Sequence, residues 1–495
     1  MKPMQISKSE YMMFLRHPAW LWLKKHDKKK LPPIGDDLQA RFDAGYLFES
    51  YAEKLFPDAF KLGWSGYSGY LELPVKTEEA ILQERKTIIQ GRLEAGGITC
   101  IFDVLVRVDE GIFDLYEIKS STGVKTEHEL DLAFQKEVIE RSGYKVNKIF
   151  VVHVNNNFVR DGEVAADDIC TIAEVTDQVE LLGESTKVNI KKALAVAGEK
   201  ERPNISPSET GLSAFGDWLD IYKTLEKVEK YSIYNLCSSG ASKIGELEEL
   251  GIKNISEIPN DFNLNSKQRS QVETTKFDKA VINKPRIKAF LDTLKYPLYF
   301  LDYETLSSTI PYFDGLKPYE QLPFQYSLHL IEKPGGEAKH FEYLHKDSSN
   351  PAEPLSGALK SQIGDKGTVL VWFEGFEKGR NELMGRMVPE HLKFYEDLND
   401  RIVDLMLPFS TGSYAHKDFF GSASIKKVLP ALIPELSYED LDIQGGTAAQ
   451  RLWMESVLDG KREDEKEKIL SDLDKYCELD TFAMVKIYQH LVKKV

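Results

Sequence analysis

Nowhere in the 495 residues does an apolar run approach the ~18 positions that a membrane-spanning helix needs. The strongest candidates, around Ile149 to Val154 and Val369 to Phe373, have only the length of strands, which excludes a membrane span and with it a membrane partner. The N-terminus interposes Lys2, Lys8, Glu10 and Arg16 where a secretory signal needs an unbroken apolar stretch and a cleavage site, so the expected location is cytoplasmic. Cysteine is scarce as well. Cys100, Cys170, Cys237 and Cys477 are too scattered for a disulfide framework and form no CxxC pair for zinc. With 21 Pro and 33 Gly against 42% hydrophobic and 29% charged residues, the disordered and collagenous classes are excluded and a soluble globular chain is expected. At ~150 residues per domain, the length suggests about three domains.

Positive charge is also short. Lys and Arg number 64 against 79 Asp and Glu, a net charge of -15, which opposes blanket attraction to a polyanion. The deficit is uneven: residues 1–34 hold eight Lys or Arg against Glu10 and Asp27, and residues 267–288 hold seven against Glu273 and Asp278. Such stretches can make local phosphate contacts or serve as solvated helix faces.

What the chain does have is two mixed α/β ends around a polar helical middle. Hydrophobic spacing predicts helices over 36–56, 77–90 and 127–142, and strands over 97–108, 112–119 and 148–154. Residues 185–290 read as a separate helical region. After Pro297, strands are expected at 298–304, 324–331 and 368–373, with helices at 376–387 and 465–494.

In the first end, a turn centred on Glu110 would pair positions summing to 220, setting Asp103 opposite Glu117, with Lys119 on the same face as Glu117. Like charges facing each other in an apolar strand are costly, and a divalent cation with oxygen ligands, Mg²⁺ or Mn²⁺, would relieve them. Lys119 could then orient or deprotonate water. A solvent-facing hairpin with a Lys119–Glu117 pair is the plainer alternative. The order of Glu49 on a helix after Gly45, Asp103, Glu117-Ile118-Lys119 and Gln135 resembles the PD-(D/E)XK nuclease core in its RecB-like branch. The resemblance implies a restriction-endonuclease-like fold over residues 1–185, with Glu49, Asp103 and Glu117 as metal ligands, Lys119 catalytic and Gln135 positioning substrate or water. The opening SKSEYMMFLRHPAWLWLKK is similar to the N-terminal segment of RecB-like and CRISPR-associated exonucleases. Many of those have a cysteine where His17 stands and three more beyond the core, binding an iron–sulfur cluster. Residues 207–220 here contain none, so no cluster is expected.

In the second end, Asp302 and Glu304 lie two apart on the strand LYFLDYET, hence on one face, and Tyr476 and Asp480 lie four apart on a helix, hence adjacent. A strand DxE with a helix YxxxD resembles the DEDD exonucleases of the RNase H-like fold, whose carboxylates bind two metals and whose tyrosine orients water. Glu377 is the best candidate for the remaining acid, one methylene longer than the usual Asp, with Glu374 as a substitute; a degenerate, inactive site is the competing reading. Residues 298–489, from YFLDYET through GSASIKKVLPALIPELSYEDLDIQGG to YCELDTFAMV, resemble the domain of unknown function 2779, an RNase H-like family commonly fused behind a RecB-like nuclease. Ser424, Lys426 and Lys427 could contact a phosphate strand or merely cap a helix.

Between the two, LEELGIKNISEIP resembles a helix-hairpin-helix element, and an ordinary packed helix pair explains its apolar spacing equally well. Tyr231, Tyr234, Trp20 and Trp22 could stack bases or fill a core. The resulting expectation is an α/β multidomain chain: the nuclease domain at 1–185, a helical linker at 186–290, and an RNase H-like domain at 291–495. Its expected activity is metal-dependent phosphodiester hydrolysis, exonucleolytic and on DNA more than RNA, with a protein partner open. The rival is a nucleic-acid-binding or assembly module in which one site, the C-terminal one by preference, no longer cleaves. A glycosidase would need aromatic sugar platforms and leaves two separate carboxylate clusters unexplained.

Overall fold

The computed structural model describes residues 4–495, a mixed α/β chain dividing into two compact units. The first comprises the described residues up to Val228 together with Gly240–Glu246 and Ser308–Tyr319; the second comprises Glu229–Ser239, Leu247–Ser307 and Glu320–Val495. The helical stretch 186–290 is therefore shared between them. Among the described residues, no helix is long and apolar enough to cross a membrane.

The first unit is built on a seven-stranded sheet: β1 (Ile6–Ser7), β2 (Phe60–Lys61), β3 (Thr87–Ala95), β4 (Ile98–Asp109), β5 (Ile112–Lys119), β6 (Lys145–Val154) and β7 (Cys170–Glu174). Their order is β2-β3-β4-β5-β6-β7, with β1 added parallel to β4 through Ile6↔Ile98. β3, β4 and β5 form an antiparallel meander, whereas β6 runs parallel to β5. A parallel neighbour requires a crossover, which α3 (Thr126–Arg141) supplies; α1 (Lys8–Arg16), α2 (Asp36–Ala52) and α4 (Gly183–Gly198) complete the framework.

Strand alternation divides the apolar residues between two cores. Leu105, Leu115 and Val151 join Leu132, Phe134 and Val138 of α3. On the opposite parity, Val104, Ile118 and Val152 join Phe48 and Ala52 of α2, together with Ile310 from the late segment Ser308–Tyr319. That segment is anchored by Arg160, which donates to the carbonyl of Tyr312 at 3.0 Å and also to that of Pro311, and by the Tyr319 hydroxyl, which donates to the Ser120 carbonyl.

The pairing sum of 220 holds from Val104↔Tyr116 to Arg107↔Phe113, then a bulge precedes Asp109↔Ile112. Asp103 lies just past the last ladder pair, and its carboxylate accepts the Ile118 N–H at 2.7 Å. The helix expected over 77–90 is a correction: a helix over Gly66–Leu82 ends before Glu84, whose φ of 56° is left-handed, and Thr87–Ala95 is strand β3. The β-branched Ile88 and Ile89 bury against opposite sides of the sheet, a tertiary gain that overrides local helical spacing.

The second unit carries a five-stranded sheet of β9 (Leu298–Leu306), β10 (Leu322–Ile331), β11 (Ala338–Leu344), β12 (Thr368–Val371) and β13 (Ile402–Asp404), preceded in the chain by β8 (Val281–Ile282), which pairs separately with β14 (Tyr414–Ala415). The order is β11-β10-β9-β12-β13, antiparallel through the first three strands and parallel from β9 to β13. Its helices include α5 (Glu374–Met387), α6 (Ile425–Leu432), α7 (Gly446–Trp453) and the 29-residue α8 (Lys466–Lys494). α8 lies across β9 and β10, burying Leu473, Ile487 and Leu491 as the strands bury Phe300 and Leu328. This packing brings residues 476–481 of α8 over the middle of β9.

Candidate metal centre and a lysine-bridged carboxylate

On β9 the alternation sends Asp302 and Glu304 to one face, while Tyr303 between them points away and donates its hydroxyl to Asn381 at 2.9 Å. α8 contributes Asp480 and Tyr476, one turn apart, to the same place, and the first turn of α5 contributes Glu377. Among the described residues, Asp302, Glu304 and Asp480 are the one acidic trio whose ligand atoms lie within 4.8 Å of one another. Glu377 is buried beside them, and its Oε2 has no hydrogen-bond partner. Together they line an open cavity of about 410 Å³, with Lys426 from α6 and Phe373 at its edge.

The electrostatics are those of crowded acids short of countercharge. Burial, then repulsion from Asp480, pushes Glu304 up to about 8, and burial raises Asp480 to about 6. Asp302 and Glu377 are held well above the usual carboxylate range, by burial first and then by neighbouring acids. Arg380 offsets Glu377, and Lys426 offsets the other three. The Lys426 ammonium sits 5.4 Å from the Tyr476 ring centroid and 5.5 Å from that of Tyr438, and donates to the Gln444 carbonyl at 2.7 Å. The Tyr438 hydroxyl donates to Asp480 Oδ1 at 2.5 Å. Three buried carboxylates and the half-buried Asp302, with an orphaned oxygen on Glu377, are a hard-oxygen donor set of the kind Mg²⁺ and Mn²⁺ take.

The first unit is arranged differently. Glu117, 1% exposed, accepts from Lys119 at 2.6 Å and Lys8 at 2.7 Å on the same Oε1, and from Gln135 at 2.7 Å on Oε2. Asp131 bridges the two ammoniums at 3.0 and 3.8 Å. These cations hold Glu117 well below the usual carboxylate range against its burial. Asp103 is instead pushed up to about 8, by burial first and then by Glu117. Glu49 accepts from Gln90 at 2.7 Å and is close enough to raise Asp103 further. Glu117, Lys119 and Gln135 are thus brought into direct contact, whereas Glu49, Asp103 and Glu117 are not among the trios within 4.8 Å.

Lys8, Asp131 and Tyr438 escaped sequence reasoning. Asp131 stands four residues before Gln135 on α3, a spacing that points to it; Lys8 has no local signal, since α1 follows directly on β1, whose docking beside β4 brings it in. His17 is buried, accepts the Ala19 N–H at Nδ1, faces the Ser206 carbonyl with Nε2 at 3.0 Å, and stacks on Trp218. Trp20 and Trp22 serve packing and a bond to the Glu199 carbonyl. Leu247, Ile255 and Ile258 form a small core with Ile233 and Val272, while Leu250 is exposed.

Residues 299–424 match the family described as Domain of unknown function (DUF2779), so the match stops well short of the 298–489 stretch drawn from sequence. The chain is also similar to two curated proteins. It is 27% identical over 234 residues to the uncharacterized protein MG366 of Mycoplasma genitalium, covering 42% of this chain and 34% of the relative. It is 26% identical over 219 residues to the MG366 homolog of Mycoplasma pneumoniae, covering 41% and 33%. The chain thus spans about a third of the length of these relatives.

Proposed function

We propose that the second unit is a metal-dependent phosphodiester hydrolase, acting exonucleolytically on DNA in preference to RNA. The observation that carries this reading is the convergence of Asp302, Glu304 and Asp480 within 4.8 Å, with Glu377 buried beside them, on an open cavity. Asp302, Glu304 and Asp480 would hold Mg²⁺ or Mn²⁺, with Glu377 as the fourth acid. The bound metal would supply charge neutralisation at the phosphate and a nucleophilic water at neutral pH. Tyr476 presents a protonated phenol, its ionisation opposed by burial and by Asp480, suited to orienting that water. Among the described residues, Lys426 presents the one cationic side chain lining the cavity, suited to a phosphate oxygen. The strand order, three antiparallel strands followed by two parallel ones, supports an RNase H-like assignment. Likewise the β3-β4-β5 meander with its α3 crossover to β6 supports a PD-(D/E)XK assignment for the first unit, where Lys119 would be the catalytic lysine.

A second reading, nucleic-acid binding without cleavage at one site, is favoured by one observation, and it falls on the first unit: Glu117 is already engaged by two lysines. End-labelled single- and double-stranded DNA and RNA are offered with Mg²⁺ or Mn²⁺ to the wild type, Lys119→Ala, Asp302→Ala and the double variant. Loss confined to Asp302→Ala supports the second unit as the enzyme and the first as a binding body. Loss confined to Lys119→Ala reverses those roles, and binding without cleavage by the wild type removes the hydrolase reading.

A further inference from the structure

The residue that opens α5 is out of keeping with its surroundings. Phe373 has φ 84° and ψ 82°, a left-handed conformation that is costly for any residue with a bulky side chain and that Gly or Asn would adopt readily. It is held there by a buried carboxylate. Asp404, at the end of β13, accepts the Phe373 N–H at 3.2 Å and the Glu374 N–H at 3.3 Å, and is itself tied to the Met406 N–H at 2.8 Å. The strain does not serve the core, because Phe373 is 56% exposed. Its neighbour Trp372 does the packing, stacking on Phe409 and donating to the Ala423 carbonyl. The Phe373 ring instead lines the cavity that holds Asp302, Glu304 and Lys426, and lies near Gly375, where an added Cβ would come within 3.7 Å of it.

We infer that Phe373 is the specificity residue of this site, a stacking platform for the terminal nucleobase of a nucleic-acid strand whose phosphodiester lies at the carboxylates; the inference rests on the hydrolase reading of the second unit. A phenyl ring offers a flat apolar face and no hydrogen bond, so it accepts any base and rejects a phosphodiester without one. It therefore assigns the substrate class: strand ends with an intact base, of any sequence.

The test separates ring from backbone. Phe373→Asn keeps a residue tolerant of the left-handed conformation and removes the ring, and Phe373→Trp keeps an aromatic face. Binding of a fluorescent single-stranded oligonucleotide is measured by anisotropy, with Ca²⁺ in place of Mg²⁺ to hold cleavage off, using strands whose terminal residues carry bases or are abasic. Stacking worth one base predicts that abasic ends weaken wild-type and Phe373→Trp binding about tenfold. Phe373→Asn is then indifferent to the change, while melting at or above the wild-type temperature. Equal sensitivity of Phe373→Asn and wild type to the missing base overturns the inference. Cleavage of the same strands in Mg²⁺ is scored separately. Base-dependent binding without cleavage keeps Phe373's role and removes the hydrolase; cleavage without base dependence does the reverse; absence of both overturns both.

Discussion

Replacing Glu304 by Gln should make the metal-free protein more stable at alkaline pH. In the fold, burial and the Asp480 charge raise the Glu304 carboxyl from an ordinary 4.5 to about 8. Between those values the folded state keeps a proton that the unfolded chain has released, so stability is full below pH 4.5, falls as pH rises, and levels off above 8. A displacement of that size is worth about 5 kcal/mol, at ~1.4 kcal/mol per pH unit. For a unit of this size that corresponds to roughly 10–20 °C in melting temperature. Scanning calorimetry in EDTA at pH 5 and pH 8.5 reads the effect directly. Wild type should lose stability between the two, and Glu304→Gln should lose less, the raised Asp302, Glu377 and Asp480 still contributing their share. Adding Mn²⁺ at pH 8.5 should restore the wild type by compensating the ionised cluster, and should do little for the variant. If wild type and Glu304→Gln show the same pH slope, or Mn²⁺ raises both equally, the crowded-carboxylate reasoning is wrong.

Three further outcomes are expected. Glu117→Gln takes the carboxylate away from two half-buried ammoniums, leaving them only Asp131, and should cost about 1.5–3 kcal/mol in urea unfolding; a loss below ~1 kcal/mol would refute the bridging role. His17 is held neutral, its pKa lowered by burial from 6.5 to about 4, so the unfolded chain takes up the proton first and stability falls as pH drops across that window, by up to about 3 kcal/mol. His17→Gln should flatten that part of the stability profile, measured as unfolding midpoint against pH. Asp404→Ala removes the acceptor of three backbone N–H groups and should cost about 1–3 kcal/mol in thermal unfolding, with increased amide exchange at Phe373 and Glu374.

The parts of the site that were legible in the sequence share a physical cause: each lies within one regular element. Asp302 with Glu304, and Tyr476 with Asp480, follow from strand and helix periods alone, and the 220 pairing follows from a short turn. Glu117 and Lys119 follow from the pairing and strand alternation, whereas Gln135 came only from the resemblance of the residue order to the nuclease core. Lys8 and Tyr438 were not legible, since their places depend on a two-residue strand docking beside β4 and on an irregular loop, neither of which leaves a period to read. The misassigned stretch 77–90 shows the other limit. Apolar residues two or three apart fit a helix face, but Ile88 and Ile89 are claimed by ladders on both sides, to Leu105 and Val104 of β4 and to Phe60 and Lys61 of β2.

The late segment Ser308–Tyr319 has a practical bearing on any attempt to divide this molecule. Ile310 fills the first unit's core beside Phe48 and Ile118, yet it is encoded between β9 and β10, some two hundred positions after the strands it covers. A gene fragment stopping at Val228 would lack that plug, and Arg160 would lose the Pro311 and Tyr312 carbonyls while keeping that of Gly162. One extending from β9 onward would carry an orphaned apolar excursion instead. Single-cut truncation should give poorly behaved halves on both sides, and assigning activity to one unit is better done with point substitutions in the intact chain.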